Sequence, residues 1–179
     1  DEEETASNKL FSSLPTGLTL VIDPIDGTLK YILGKDDFSI CIGLFENGIV
    51  LTSLVYFPAR KEFYFIKDDQ AYCETGSKLH KLPAPETKNE ALVYVNNRVD
   101  KQIINTLIRD GFKVVNDEDG IISWPNAFIK CMKGEYNVCI FHSPQIRDML
   151  LGVIMSKIFS GYACDWTGKK ISWPPAGGR

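Results

Sequence analysis

Two carboxylates, Asp23 and Asp26, stand three positions apart in the run Asp23-Pro24-Ile25-Asp26-Gly27-Thr28. Pro24 stiffens the segment, so both carboxylates can reach one small volume with the Ile25 carbonyl between them. Two carboxylates and a carbonyl make a hard-oxygen donor set of the kind Mg²⁺ takes, usually with waters and a phosphate completing its shell. Gly27 lets backbone approach a ligand closely, and Thr28 adds a hydroxyl. The N–H groups of a helical turn beginning there could hold a phosphate.

The same residue types are also the commonest turn formers, so the run reads equally as a plain β-turn. Two further features bear on the choice. Glu2-Glu3-Glu4 lies upstream, where an acidic run is ordinarily a solvated face. Asp148 opens an apolar stretch, where it would ordinarily be an N-cap. Their joint occurrence around a paired-carboxylate run favours a metal site over a turn.

Other chemistries find little support. With only His80 and His142 in 179 residues, a His/Cys zinc site lacks ligands. Cys41, Cys73, Cys131, Cys139 and Cys164 are five in number and form no CxxC pair, and four of them sit in apolar or aromatic runs, which suits buried free thiols in a reducing compartment. The net charge of −3 provides no basic patch for a nucleic-acid backbone. No apolar run approaches the ~18 residues of a membrane span. The acidic opening is the opposite of a basic export leader, and the expected location is the cytoplasm.

The elements that must position these residues follow from the pattern. Leu18–Ile22 reads as a strand ending at Asp23. Phe38–Phe45 and Ile49–Phe57 flank Glu46-Asn47-Gly48, a hairpin signal because Asn and Gly tolerate positive φ. Glu62–Ile66 is a further strand after the turn at Pro58–Lys61, and Gln70–Cys73 pairs back on it. Lys78–Asn89 reads as a polar, proline-broken connection. Beyond it Ala91–Val95 is a strand, and Asp100–Arg109 is a helix with Ile103, Ile104, Leu107 and Ile108 on one face, stopped by Gly111. Lys113–Val115 is a strand, and Pro125 begins a helix running to about Met132. Glu135–Phe141 is a strand, and Asp148–Phe159 is an apolar helix. A meander followed by alternating strands and helices predicts a layered α/β (α+β) fold in one domain.

The run Asp23–Thr28 resembles the signature of the inositol monophosphatase-like family, Mg²⁺-dependent and lithium-sensitive phosphatases that include the 3′(2′),5′-bisphosphate nucleotidases. The likeness is strong at residues 20–28 and weaker after Asn89. Glu2-Glu3 or Glu3-Glu4 resembles the family's upstream Glu pair, and Arg147-Asp148-Met149-Leu150-Leu151-Gly152 occupies the place of a WDxAAG-like run. Ala163-Cys164-Asp165-Trp166-Thr167-Gly168 resembles the strand and turn after it. Asn126-Ala127 sits where a Gly-Ser-Ala or Gly-Thr-Ala run lies near the substrate. The chain departs from the pattern at Arg147, which replaces the usual Trp, and in the bulky Met149-Leu150-Leu151.

The resemblance implies alternating α-β-α-β-α layers with mixed and antiparallel sheets. It makes residues 1–179 one catalytic domain lacking the family's N-terminal helices and its C-terminal end. It implies two or three Mg²⁺ ions: one on Glu3 (or Glu2), Asp23 and the Ile25 carbonyl, another on Asp23, Asp26 and Asp148. Glu3, Asp26 and Thr28 would be the catalytic groups, with water activated by two metals. Gly27, Thr28, Asn126, Ala127, Arg147 and Asp148 would meet the substrate. That substrate is expected to be a small phosphorylated sugar or inositol phosphate. The length and aromatic placement of Leu29–Phe38 keep open a nucleotidase acting on 3′-phosphoadenosine 5′-phosphate. An inactive binding module of the same fold also stays open. The implied partners are a small phosphorylated metabolite and, as relatives are commonly dimers, a second copy; neither nucleic-acid polymer nor membrane is expected.

Overall fold

The structure is a computed structural model and describes residues 16–47, 49–85, 91–116, 122–142, 152, 159 and 161–170. Its first half is a six-stranded antiparallel sheet in chain order: β1 (Leu18–Asp26), β2 (Ser39–Glu46), β3 (Ile49–Phe57), β4 (Glu62–Lys67), β5 (Gln70–Thr75) and β6 (Lys78–Lys81). One short helix, α1 (Thr28–Ile32), follows β1. The tight turns rest on residues that accept positive φ, among them Asn47 at 49° and the pair Asp68 and Asp69 at 50° and 54°.

The second half holds β7 (Leu92–Val95), α2 (Lys101–Arg109), β8 (Lys113–Asn116), α3 (Trp124–Met132) and β9 (Val138–Ile140). The three strands form a parallel sheet in the order β8-β7-β9. Asp100 caps α2 by accepting the Gln102 N–H at 2.8 Å.

Side-chain alternation along the strands builds the layers. Val55, Phe57, Tyr64 and Ile66 face one way from the large sheet and pack on Phe128, Ile129 and Met132 of α3. From the other side of α3, Ala127 packs with Tyr94 and Tyr136. Val93 and Val95, flanking Tyr94, face the opposite way and pack with Ile104 of α2. The layers therefore run large sheet, α3, small sheet, α2, an α+β layered fold. The other face of β1 carries Leu18, Leu20 and Ile22 in exposed positions. No helix among the described residues is long and apolar enough to cross a membrane.

Four expectations need correction. The strand at Leu18–Ile22 does not stop at Asp23 but continues to Asp26. Part of the connection expected over Lys78–Asn89 is β6, which pairs with β5 through backbone bonds that its polar side chains do not oppose. β9 covers only Val138–Ile140 of the strand expected from Glu135, because Glu135 and Tyr136 instead bond back to the Lys130 carbonyl. Ile108 is exposed, leaving Ile103, Ile104 and Leu107 as the packed face of α2. The helix expected over Asp148–Phe159 lies outside the described residues except at Gly152 and Phe159. Phe159 packs against the large core, and a Cβ at Gly152 would collide with the Phe128 ring.

Candidate metal and phosphate site

A regular strand turns residues three apart to opposite faces. In β1, however, Asp23 pairs with Cys41 and Asp26 with Ser39, and the register shifts between them. Two residues of β1, Pro24 and Ile25, thus stand opposite the single residue Ile40. This is a β-bulge. Cys41 and Ser39 are two apart and share a face, so the bulge brings both carboxylates to that face. Both are buried, Asp23 at 8% exposure and Asp26 at 7%. Pro24 suits the place, because β1 is the edge of the sheet among the described residues and a bulge asks no ladder N–H of it.

Local hydrogen bonds set the donor atoms. Asp23 Oδ1 accepts the Ile25 N–H at 3.2 Å, and Thr28 Oγ1 donates to the Ile25 carbonyl at 3.0 Å. The Thr28 hydroxyl has one hydrogen, so toward any further group it presents lone pairs. Gly27 is left-handed, at φ 82° and ψ 38°, and caps α1. The first backbone bond of α1 runs from Lys30 N–H to the Gly27 carbonyl at 2.8 Å, so the N–H groups of Gly27 and Thr28 are not spent inside the helix. Lys30 is buried beside this turn.

Gly27 has a second reason to be glycine. A Cβ there would lie 2.9 Å from the Asp37 carbonyl oxygen and 3.4 Å from Ser123 Cβ. The Asp37 side chain then ties this turn to α3. Its Oδ2 accepts the Ser123 N–H at 2.7 Å, and its Oδ1 accepts Asn126 Nδ2 at 2.8 Å and the Ser123 hydroxyl at 3.3 Å. Arg60 reaches the same network from the β3–β4 turn. Its Nη1 and Nη2 donate to Asn126 Oδ1 at 3.4 and 3.5 Å, its Nε lies 3.6 Å from Glu62, and its guanidinium stacks on Phe57.

The expected site residues are therefore distributed as follows. Asp23, Ile25, Asp26, Gly27 and Thr28 come together at the end of β1. Ser123 and Asn126 reach them through Asp37. Asn126 donates from its amide nitrogen to Asp37 and accepts from Arg60 at its amide oxygen, and Ala127 is fully buried in the cluster with Tyr94 and Tyr136. Glu2, Glu3, Arg147 and Asp148 lie outside the described residues. Asp37, Ser123 and Arg60 were not expected. Ser123 had a readable signal, a Ser just before Trp124-Pro125 being a helix start, whereas Asp37 has none short of the fold itself.

The donor set fits Mg²⁺ in kind, two buried carboxylates and a carbonyl from one bulged turn. Among the described residues no three His, Cys, Asp or Glu side chains gather closely enough to hold a metal. A full shell would thus need the carboxylates assigned to Glu2 or Glu3 and to Asp148.

A model of the inositol monophosphatase family matches residues 1–178. The chain is similar to the inositol-1-monophosphatase of Bacillus subtilis, 30% identical over 115 residues covering 60% of this chain and 42% of that protein. It is also similar to the 3′(2′),5′-bisphosphate nucleotidase CysQ of Salmonella typhimurium, 22% identical over 158 residues, covering 87% of this chain and 62% of the relative. In fold it matches an IMPase/NADP phosphatase solved with Mg²⁺ and phosphate, at a TM-score of 0.77 and 20% identity, covering 96% of this chain and 62% of that one. The chain spans between 42% and 62% of the length of these proteins. With the bulged carboxylate turn, the layered fold and the match along nearly its whole length, the chain belongs to the inositol monophosphatase family.

Proposed function

We propose that this chain forms the carboxylate turn and phosphate cradle of a Mg²⁺-dependent phosphomonoesterase for a small phosphorylated sugar or inositol phosphate. The observation that carries the reading is the β1 bulge, which turns Asp23 and Asp26 to one buried face. Asp23, Asp26 and the Ile25 carbonyl would hold Mg²⁺, with Glu2 or Glu3 and Asp148 supplying the remaining carboxylates. When bound, the ions supply Lewis acidity to the phosphoryl group and charge compensation at the leaving oxygen.

The chain's own residues position the reactants. Because the Thr28 hydrogen is given to Ile25, Thr28 Oγ1 would accept a proton-bearing contact from the attacking water and so aim it. The carboxylate of Glu3 is the second orienting group. The N–H groups of Gly27 and Thr28 would steady phosphate oxygens as charge builds on them. Asp23 is held in place by its bond from the Ile25 N–H, so its donor oxygen does not have to be ordered when the ligand arrives.

A second reading, a 3′(2′),5′-bisphosphate nucleotidase, is favoured by the span of the CysQ match, 87% of this chain. Turnover of inositol 1-phosphate against 3′-phosphoadenosine 5′-phosphate separates the two. Phosphate release that depends on Mg²⁺, falls with lithium and disappears in Asp23→Asn with an unchanged melting profile is the expected result. Wild-type turnover in Asp23→Asn would defeat the metal assignment. Calorimetry with millimolar Mg²⁺ that detects no binding would identify an inactive binding module.

A further inference from the structure

The last turn of α3 and strand β9 meet at two sulphur atoms. Cys131 Sγ lies 3.0 Å from Cys139 Sγ, and both thiols are free of disulfide. From that separation the sulphurs need approach by only about 1 Å to reach the ~2.05 Å of an S–S bond. The segment joining them turns tightly, with Gly134 at φ 70°, so they are near in the chain as well as in space.

The other cysteines are arranged differently. Cys41 and Cys73 are buried beside hydroxyls, each Sγ 3.6 Å from the oxygen of Ser39 or Thr75. Cys164 is exposed in the hairpin that pairs it with Lys170. Among the described residues, Cys131 and Cys139 are thus the thiols that face one another, and both are half-buried rather than sealed in the core.

We propose that Cys131 and Cys139 are a modification site, a dithiol that peroxide converts reversibly to an intramolecular disulfide. The Cys131 thiolate attacks one peroxide oxygen. An S–O bond forms as the O–O bond breaks, and the departing hydroxide takes a proton and leaves as water. Cys139, after giving its proton to solvent, attacks the sulfenic sulphur. The S–S bond forms, the S–O bond breaks, and a second water leaves. Each sulphur has given up one electron, and the peroxide has gained two. This order follows from the pair itself. Cys139 Sγ donates to the Ala127 carbonyl at 3.5 Å, and its hydrogen bond with Cys131 together with burial pushes its thiol up, so Cys139 is the partner that gives up its proton later and resolves.

The location gives the bond a consequence. α3 is already held near its start, where Ser123 and Asn126 bond to Asp37. A disulfide would hold its last turn to β9 and so fasten the helix at both ends.

Tryptic mapping tests the proposal on the purified chain, independently of any phosphatase activity. Lys130 and Lys133 flank Cys131, so digestion separates it from Cys139 unless the sulphurs are joined. After mild treatment with hydrogen peroxide and blocking with iodoacetamide, the two peptides should appear linked. The link should vanish with dithiothreitol, and Cys164 should not join it. In Cys139→Ser, where no resolving thiol remains, Cys131 should instead accumulate a dimedone adduct. Recovery of both cysteines as alkylated thiols, at peroxide doses that oxidise Cys164, would overturn the assignment. So would a link from Cys131 to Cys164, or a Cys139→Ser chain without the adduct.

Discussion

The backbone N–H of Ser123 donates to Asp37 Oδ2 at 2.7 Å, across 86 positions of chain. Ser123 is the N-cap of α3, yet its own side chain makes no capping bond, so a carboxylate from the other half of the molecule takes up a donor at this helix end. The main-chain carbonyl of Asp37 faces Gly27. Asp37 therefore sets the distance between the carboxylate turn and α3.

Replacing Asp37 with Ala should leave the buried Ser123 N–H and the Asn126 amide without their acceptor. At about 1–3 kcal/mol per unsatisfied buried donor, a loss of ~2–6 kcal/mol in stability is expected, read from urea denaturation. Asp37→Asn keeps one acceptor oxygen and should cost less.

Gly27→Ala and Gly34→Ala form a matched pair. Both positions have positive φ, at 82° and 64°, but an added Cβ meets the Asp37 backbone only at Gly27 and open space at Gly34. The left-handed conformation costs a Cβ-bearing residue about 1–2 kcal/mol at either site. Gly27→Ala should exceed Gly34→Ala in destabilisation and should also lower phosphatase turnover, whereas Gly34→Ala should leave turnover near wild type. Equal losses in the two variants would remove the argument for close approach.

Ile129 is fully buried on α3, in one core cluster with Phe128 and with Phe57 and Tyr64 of the large sheet. Ile129→Ala should cost about 2–5 kcal/mol, the transfer term plus the cavity left behind. A thermal or urea unfolding curve gives the number directly.

Acid titration should find Asp165 below the usual carboxylate range. The Thr167 hydroxyl donates to its Oδ1 at 2.6 Å, the Thr167 N–H at 2.8 Å and the Lys169 N–H at 3.1 Å, and these bonds favour the charged form. With the folded value depressed, the contribution of the turn is complete above the ordinary value of ~3.9 and is lost as pH falls through the lower folded one. Thr167→Val should move the NMR-detected midpoint upward toward the ordinary value.

Much of this architecture is legible in the residue pattern. Apolar alternation and the Asn47 and Asp68-Asp69 turns mark out β2 to β5, and Pro125 with the apolar run to Met132 marks α3. These are local signals, and local backbone preference decides them. The extension of β1 to Asp26 is not local. It depends on Ser39 arriving to pair beyond a proline, so a reading that stops strands at Pro errs there. β6 is missed for a similar reason, since its ladder bonds to β5 are independent of its polar side chains. At the site, Asp23 and Asp26 are readable because their chemistry lies within one short run. Asp37 is not, because its partners come from an element more than eighty positions away.

The chain-order layout of the large sheet bears on how the molecule is made. Each of its strands pairs with its immediate successor, so that sheet can close through short loops, whereas the Asp37–Ser123 bond closes a long one. Closing entropy rises with loop length, and near-neighbour contacts form earliest. During synthesis β1 to β6 leave the ribosome before α3 exists. The Asp23–Thr28 turn is therefore assembled in two instalments, its bulge with the sheet and its clamp only when the second half of the chain arrives.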